Sequence, residues 1–322
     1  MTRQELDAAG IDDPALRSAY SECRRLNAVH GRTYFLATKM LSLPQRPAVH
    51  ALYGFARWLD DLVDEPAPGT TTDRIAARLS DVETRLFTGL ATGHSDDPLL
   101  SAVIDTTKRY AIPTRHFSAF LRSMRMDLTV EGYPDRGALD EYVHGSAEVI
   151  GLQVLPILGV VSDHDEAASR AAALGKAFQL TNFLRDVAED LGRNRVYLPA
   201  DELASFGVDR DRLRWCATHQ RVDPAVKRAL ADQIATTRAI YRVARPGVAL
   251  LHPVSRPCVA TALALYSEIL DRIEDVGHNV FARRATVPDR RRLVVASGAL
   301  LRALWARRRH TPPTAPTTTA VS

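Results

Sequence analysis

The chain has 322 residues, of which 46% are hydrophobic and 25% charged, which is the composition of an ordinary folded protein and excludes a disordered or fibrous chain. This length suits one large domain or two small ones. The formal net charge of +4 is mildly basic, so it is compatible with anionic ligands without requiring them.

The cysteine pattern and the hydropathy of the chain further narrow the classes of protein to which it can belong. The three cysteines form no CxxC pair, which argues against zinc or iron–sulfur centres and is typical of a reducing cytoplasm. The first residues are polar and lack the apolar core of a secretory signal. The longest apolar run, residues 149–161, is shorter than the roughly 18 residues of a membrane span, and we interpret it as a buried helix. We therefore expect a cytoplasmic protein.

Helical periodicity dominates the chain, and alternating strand patterns are scarce. An apolar stripe at helical spacing consists of Val49, Leu52, Ala56, Leu59 and Val63. Pro98 suits the first turn of a later helix. Turn-forming residues separate helices at 66–69 and 132–135. We therefore predict a single all-α domain, a helical bundle over residues 1–310, followed by a disordered Thr/Pro-rich tail over residues 311–322.

A first acidic cluster, Asp60-Asp61-Leu62-Val63-Asp64, falls at the end of that stripe. Stepping by three and four residues gives one polar helix face, formed by Tyr53, Arg57, Asp60 and Asp64. Aspartate is a poor helix former, so its repeated use inside a helix indicates a purpose. The alternative is a surface helix on which Arg57 pairs with Asp60 or Asp61.

A second acidic cluster lies on a helix that is apolar over most of its circumference and should therefore be central. Its polar face consists of Gln179, Asn182, Asp186 and Asp190. Burying amides and carboxylates is costly unless they are satisfied, and a ligand-filled cavity would satisfy them. A buried polar network is the alternative. Gly192 ends this helix, and Arg193 and Arg195 follow on a loop, where arginine forks suit diphosphate oxygens.

The two acidic clusters together predict a metal site. Carboxylates one helical turn apart repel each other unless a cation neutralises them. Mg²⁺ takes oxygen ligands and keeps water and substrate phosphate in its shell, and Mn²⁺ accepts the same ligands. Two facing helices of this kind would form a metal-lined mouth for a diphosphate.

Several of these segments resemble the squalene/phytoene synthase family. The most specific is Gln179-Leu-Thr-Asn-Phe-Leu-Arg-Asp-Val-Ala-Glu-Asp with Arg193-Asn-Arg-Val-Tyr-Leu-Pro, which is similar to the second signature of that family. Arg57-Trp-Leu-Asp-Asp-Leu-Val-Asp is similar to the first. Weaker similarities are found at His30-Gly-Arg-Thr-Tyr-Phe-Leu-Ala, Tyr142-Val-His-Gly-Ser-Ala-Glu-Val-Ile-Gly-Leu, Tyr266-Ser-Glu-Ile-Leu and Phe281-Ala-Arg-Arg-Ala.

The sequence departs from the family pattern at three places. Asn194 stands where a glycine is common between the two loop arginines, and Asn tolerates the left-handed backbone better than most residues. Ser146-Ala147-Glu148 replaces Val-Ala-Gly in a segment that lines the substrate region of relatives. His278 replaces a usual tyrosine.

The resemblance implies an isoprenoid-synthase fold with a central active-site cavity, and a Mg²⁺-dependent prenyl transferase activity. It assigns the metal to Asp60, Asp64, Asn182, Asp186 and Asp190. It assigns substrate binding to His30, Tyr53, Arg57, Gln179, Asn182, Arg185 and Arg195. Tyr142 and Tyr266, with the four aspartates, are the expected catalytic residues.

The residue pattern of these segments is most similar to that of bacterial phytoene synthases. The expected reaction is therefore head-to-head (1′–1) condensation of two geranylgeranyl diphosphates to phytoene through a cyclopropyl (prephytoene) diphosphate, the first committed step of carotenoid biosynthesis, without NADPH. The alternative within the family is a squalene or dehydrosqualene synthase that uses two farnesyl diphosphates. Pocket depth decides between them.

Other classes fit parts of the sequence. Head-to-tail prenyl transferases and terpene cyclases share the first cluster but carry a different second one. A non-catalytic helical assembly protein of the same fold is a further alternative. Arginine runs at 290–292 and 307–309 flank an apolar stretch, which favours peripheral contact of residues 290–310 with the inner face of a membrane over nucleic-acid binding, or else a last bundle helix with charged ends. Downstream carotenoid enzymes are candidate partners.

Overall fold

The computed structural model describes residues 2–313, and regular structure within that range is helical. Its helices are α1 (Arg3–Ala8), α2 (Pro14–His30), α3 (Arg32–Thr38), α4 (Arg46–Asp64), α5 (Thr72–Thr92), α6 (Pro98–Arg109), α7 (Arg115–Met126), α8 (Arg136–Val143), α9 (Val149–Leu158), α10 (His164–Gly192), α11 (Ala200–Ser205), α12 (Arg210–His219), α13 (Pro224–Ala244), α14 (Gly247–Leu250), α15 (Arg256–Asp275) and α16 (Asp289–Arg309). A 3₁₀ turn (Leu43–Gln45) precedes α4, and a π-helical segment (His144–Glu148) joins α8 to α9.

Helix starts follow the capping chemistry of the sequence. The Asp97 carboxylate accepts hydrogen bonds from the backbone N–H groups of Leu99 (2.9 Å) and Leu100 (3.2 Å), and Pro98 takes the first helical position as predicted. Asp223 and Pro224 repeat the same arrangement at α13. An aspartate satisfies the free N–H groups of a first turn, and proline has no N–H to satisfy there.

Helix α10 is central, because it packs against α9, α13, α15 and the π-helical segment. One large apolar cluster lies around α10, α13 and α15. A second lies around α4 to α7 and includes Leu52, Leu59 and Val63 of the predicted α4 stripe. The C-terminal halves of α4 and α10, which carry the acidic residues, therefore pack into two different apolar clusters.

Glycine allows α10 to approach the π-helical segment closely. A Cβ on Gly175 would lie 2.4 Å from the carbonyl oxygen of Ala147, which is too short for any side chain. A Cβ on Gly145 would lie 2.3 Å from the carbonyl oxygen of Ala119 in α7. Backbone contacts of this kind fix the depth at which α10 sits in the bundle.

The buried helix predicted over residues 149–161 is shorter than expected. It ends at Leu158, because Gly159 takes a positive φ of 72° and Val160 bridges to Leu251. No helix in the described residues is long and apolar enough to cross a membrane. Of the predicted tail, residues 311–313 follow α16 without helical structure, and residues 314–322 lie outside the described part, so the division at 310 stays a prediction.

Candidate active site

The adjacent aspartates Asp60 and Asp61, near the end of α4, have different surroundings. Arg57 forms salt bridges with Asp61 and, at 3.3 Å, with Glu65. Of the two pairings considered for Arg57 on a surface helix, the structure therefore contains the one with Asp61. Among the side chains that the structure describes, which do not include that of Arg32, none forms a hydrogen bond with Asp60. Burial and the neighbouring carboxylate of Asp64 raise the pKa of Asp60 to about 7.

The polar face of α10 shows the same division. The carboxylate of Asp186 accepts two hydrogen bonds from Arg185, at 2.8 and 2.5 Å, and two from Arg284, at 2.7 and 2.9 Å. Burial alone would raise the pKa of Asp186, but the hydrogen bonds and charges of both arginines outweigh it and lower that pKa. For Asp190, burial and the charge of Asp186 raise the pKa to about 8, with Asp64 contributing from α4.

The loop after α10 joins the two acidic helices. Arg195 Nη1 donates to Asp64 Oδ1 at 2.6 Å, and Arg193 Nη1 lies 3.5 Å from Asp64 Oδ2. Asn194 takes the left-handed conformation expected of it, with φ of 58°. Its side-chain oxygen accepts from Arg210 at 2.9 Å and from Arg214 at 3.0 Å, so it also fixes this loop to α12.

Asp127, directly after α7, is a residue of the site that the sequence analysis missed. Its carboxylate accepts hydrogen bonds from Tyr142 at 2.7 Å and Tyr197 at 3.0 Å, and its carbonyl oxygen accepts from Arg195 Nη2 at 2.8 Å. Burial raises the pKa of Asp127 to about 6. No local spacing marks this residue, since its partners come from α8 and from the loop after α10.

Arg284 was missed as well, although it lies in the segment Phe281-Ala-Arg-Arg-Ala that carries part of the resemblance. A shallow cleft beside Asp186 is lined by Arg185, Glu189 and residues 280–284. The resemblance of that segment to the family was the signal from which Arg284 could have been identified.

Two of the predicted tyrosines lie together in an aromatic cluster formed by α3, α4, α10 and α15. Tyr34 has its ring centroid 6.0 Å from that of Tyr53 and 5.0 Å from that of Tyr266. The Phe178 centroid lies 4.5 Å from that of Tyr266. Burial raises the pKa of Tyr53 and of Tyr266 above the usual range. Tyr34 was not assigned from the sequence.

Tyr142 lies apart from that cluster, and His30 lies at its edge. The ring of Tyr142 packs at a tilt against those of Tyr133 and Tyr197, with ring centroids 5.5 and 5.4 Å away. His30 is exposed at the end of α2. The next residue, Gly31, packs so closely on Tyr53 that a Cβ there would lie 2.7 Å from Tyr53 Cζ. His30 thus lies at the edge of the aromatic cluster.

The donor atoms fit a hard divalent cation. Asn182 Nδ2 lies 3.4 Å from Gln179 Oε1, while the buried Asn182 Oδ1 has no partner among the described residues. Two carboxylates with raised pKa values and a free amide oxygen are the groups that a cation with oxygen ligands would satisfy. As the side chains stand, residues 2–313 contain no preformed cluster of three or more His, Cys, Asp or Glu that could hold a metal ion; arginines hold Asp64 and Asp186 instead.

Comparison with known proteins matches residues 28–291 to the squalene/phytoene synthase family. A phytoene synthase of Arthrospira platensis is 35% identical over 302 residues, covering 90% of this chain and 95% of the relative. A 15-cis-phytoene synthase of Synechococcus elongatus is 34% identical, covering 90% and 94%.

Solved structures agree on the fold. A dehydrosqualene synthase superposes with a TM-score of 0.79 at 23% identity, covering 88% of this chain and 96% of the other. The squalene synthase HpnC of Alicyclobacillus acidocaldarius has a TM-score of 0.73 at 27% identity, covering 84% and 99%. With the family model matching most of its length, this chain belongs to the squalene/phytoene synthase family.

Proposed function

We propose that the protein is a phytoene synthase that condenses two geranylgeranyl diphosphates head to head, through a cyclopropyl (prephytoene) diphosphate, without NADPH. The relatives named phytoene synthase, about 35% identical over 90% of the chain, support this choice within the family. The observation that carries the chemistry is the ion pair in which Arg195, on the loop directly after the acidic helix α10, holds Asp64 of the acidic helix α4.

The polar rim of the site suits a diphosphate. Asp60, Asp64, Asp186, Asp190 and the free Oδ1 of Asn182 are the groups proposed to hold Mg²⁺, or Mn²⁺ in its place. When bound, the cation draws negative charge from the leaving diphosphate. Arg185 and Arg195 neutralise Asp186 and Asp64 in the structure, and with a cation on those carboxylates the two guanidinium groups would be available to bind phosphate oxygens.

The groups next to this rim suit an allylic cation. Tyr53 and Tyr266 present aromatic rings on either side of Tyr34, and such faces stabilise positive charge while excluding water. Arg57 and Gln179 lie on the same polar faces as the metal-binding carboxylates. His30 lies at the rim, and Tyr142 supports Arg195 through Asp127.

Apolar side chains that are only half-buried continue inward from these aromatics. Leu36, Leu174 and Phe178 belong to the central cluster yet keep some exposure. Apolar side chains that stay accessible beside the polar faces support an apolar binding region for prenyl chains there. The squalene and dehydrosqualene synthases among the structural relatives keep the two-farnesyl reaction as the second candidate.

A product assay tests the proposal. Purified protein is incubated with Mg²⁺ and either the C15 or the C20 prenyl diphosphate, with and without NADPH, and the hydrocarbon is identified by mass. We expect a C40 product from the C20 substrate that does not change with NADPH. A C30 product would replace the assignment by squalene or dehydrosqualene synthesis. A complete lack of coupling would favour a cyclase or a non-catalytic assembly protein.

We also propose that the protein acts on the cytoplasmic side of a membrane, with residues 290–310 in peripheral contact and no nucleic-acid partner. Both substrate and product carry long apolar chains, and enzymes that consume phytoene would meet it there.

A further inference from the structure

Helix α16 buries small residues and exposes large apolar ones. It packs on α15 and α3 through four small residues, Ala296, Ala299, Ala303 and Ala306. Six of its seven large apolar residues face solvent instead, with exposed fractions between 41% and 71%, and the seventh, Val295, is partly buried; the six are Leu293, Val294, Leu300, Leu301, Leu304 and Trp305. Six of the ten exposed large hydrophobic residues in the described part of the chain therefore lie on this one helix.

The six exposed side chains lie on one side of the helix. At about 100° per residue, they fall within an arc of roughly 140°, and the alanines lie on the opposite side. A helix that only completes a bundle turns its large apolar residues inward, because burial of each one stabilises the fold. On α16 these large residues are not buried against the rest of the protein, so we infer that the exposed face has another partner.

The charges on α16 indicate what that partner is. The helix carries seven arginines and one acidic residue, Asp289. Arg290, Arg302 and Arg308 are exposed and have no carboxylate within 4.0 Å in residues 2–313. Arg309 stacks on the ring of Trp305 at 4.4 Å. A second copy of the chain would place arginine against arginine, whereas a surface of anionic phospholipid complements both the charges and the apolar face.

We propose that α16 lies in the interface of a bilayer containing anionic phospholipids, with the face defined by the six apolar residues inserted and the unpaired arginines on lipid phosphates. This deepens the membrane contact of the proposed function by naming its surface and its lipid chemistry.

The helix is held firmly to the elements that carry the site. Arg307 Nη2 donates to the carbonyl oxygens of Met40 and Leu41, at 2.6 and 2.7 Å, just after α3. At the other end, Arg291 Nε donates to Glu268 of α15 at 2.8 Å. Because α3 carries Tyr34 and α15 carries Tyr266, docking of α16 would bring the aromatic cluster to a fixed position near the lipid.

Flotation of the full chain with vesicles tests the docking. We expect the protein to float with vesicles of phosphatidylcholine and phosphatidylglycerol at low salt, and to remain at the bottom with phosphatidylcholine alone. The variant L301S/W305S should lose about tenfold or more in affinity. R302Q/R308Q should weaken binding several-fold at low salt, with the difference vanishing at high salt. The control W215S removes another exposed tryptophan (47% exposed), on α12, and should float like the parent.

Two outcomes would overturn the proposal. One is equal flotation of the parent and L301S/W305S, or no flotation of the parent. The other is a dimer, measured by light scattering, that L301S/W305S converts to a monomer, which would assign the face to a second copy. Flotation needs no substrate, so its result is independent of the product assay. Melting temperature and turnover of detergent-dispersed substrate should be unchanged in L301S/W305S, since both side chains are exposed.

Discussion

Asp60 and Asp186 occupy corresponding places on α4 and α10, yet their surroundings are opposite. Asp186 accepts four hydrogen bonds from two arginines, whereas Asp60 has none among the described residues. Arginine therefore offsets the charge of one carboxylate and leaves the other without a partner. Asp190 resembles Asp60 in this respect, with its pKa raised to about 8 by burial and by Asp186. A divalent cation would complete the site at Asp60 and Asp190.

Removal of either carboxylate should abolish turnover without unfolding the protein. We expect Asp60→Ala and Asp186→Ala each to lower kcat/KM by at least about 10³-fold, because charge stabilisation of the leaving diphosphate is lost. Asp232→Ala, at an exposed position of α13, is the matched control and should keep full activity. Steady-state kinetics and circular dichroism check the prediction, and substantial turnover in Asp60→Ala would disprove the metal assignment.

Adjacent arginines in one loop provide a second test. Arg284 holds Asp186, while its neighbour Arg283 has no carboxylate within 4.0 Å in the described chain. We expect Arg284→Gln to lower kcat/KM by roughly 10–10²-fold, since the bidentate partner of a carboxylate proposed to bind the metal is lost. Arg283→Gln should behave like the parent. Equal effects of the two substitutions would mean that only the net charge of the loop matters.

At the scale of elements, the site depends on how deeply α10 is seated. Gly175 meets the carbonyl of Ala147 and leaves no room for a side chain, and it precedes the polar face that begins at Gln179. The π-helical segment on the other side of this contact belongs to the part of the chain that departs from the family pattern at residues 146–148. Packing there sets the position of the α10 face that carries Asn182 and Asp186.

Two glycines of the same helix should respond differently to alanine. Gly175→Ala should destabilise the protein by about 1–3 kcal/mol, because the added methyl group overpacks a backbone contact. Gly192→Ala, at the end of α10, meets nothing within 4 Å and should be neutral or slightly stabilising. Urea unfolding measures both free energies of unfolding. Equal stability of the two variants would show that α10 shifts without cost.

At the scale of the whole molecule, two raised aspartate pKa values link stability to pH. The usual pKa is 3.8, but burial holds the pKa of Asp60 at about 7 and that of Asp190 at about 8 in the folded protein. Between the usual pKa of 3.8 and these raised values, the folded state therefore binds more protons than the unfolded state. Their contribution to stability is fully present below about pH 4 and is lost as pH rises through 7 and 8.

We expect this loss in the metal-free protein to depend on both aspartates and to be reversed by metal. The melting temperature of the parent should fall by a few degrees relative to that of the double variant D60N/D190N between pH 5 and pH 8.5. Adding Mg²⁺ at pH 8.5 should raise the melting temperature of the parent only, because the cation favours the ionised carboxylates. Parallel pH profiles of parent and variant would contradict the pKa shifts.

Some features were predictable because they depend on local spacing. Helical periodicity predicted the α4 stripe, and the stripe residues Leu52 and Leu59 are buried as expected. The capping chemistry of Pro98 and the left-handed Asn194 were predictable from the residues themselves. The long second signature predicted the family, which the comparisons confirm.

The sequence by itself determined the helical class, the family and the two acidic faces, since each is encoded by residues within a few positions of one another. Only the tertiary structure decided which carboxylates are neutralised. Arg284 reaches Asp186 from 98 residues away, and Arg195 reaches Asp64 across 131. It also decided that Asp127 supports Tyr142, and that α16 buries alanines and exposes leucines. Charge pairing and packing depend on distance in space, which the sequence around these residues does not specify.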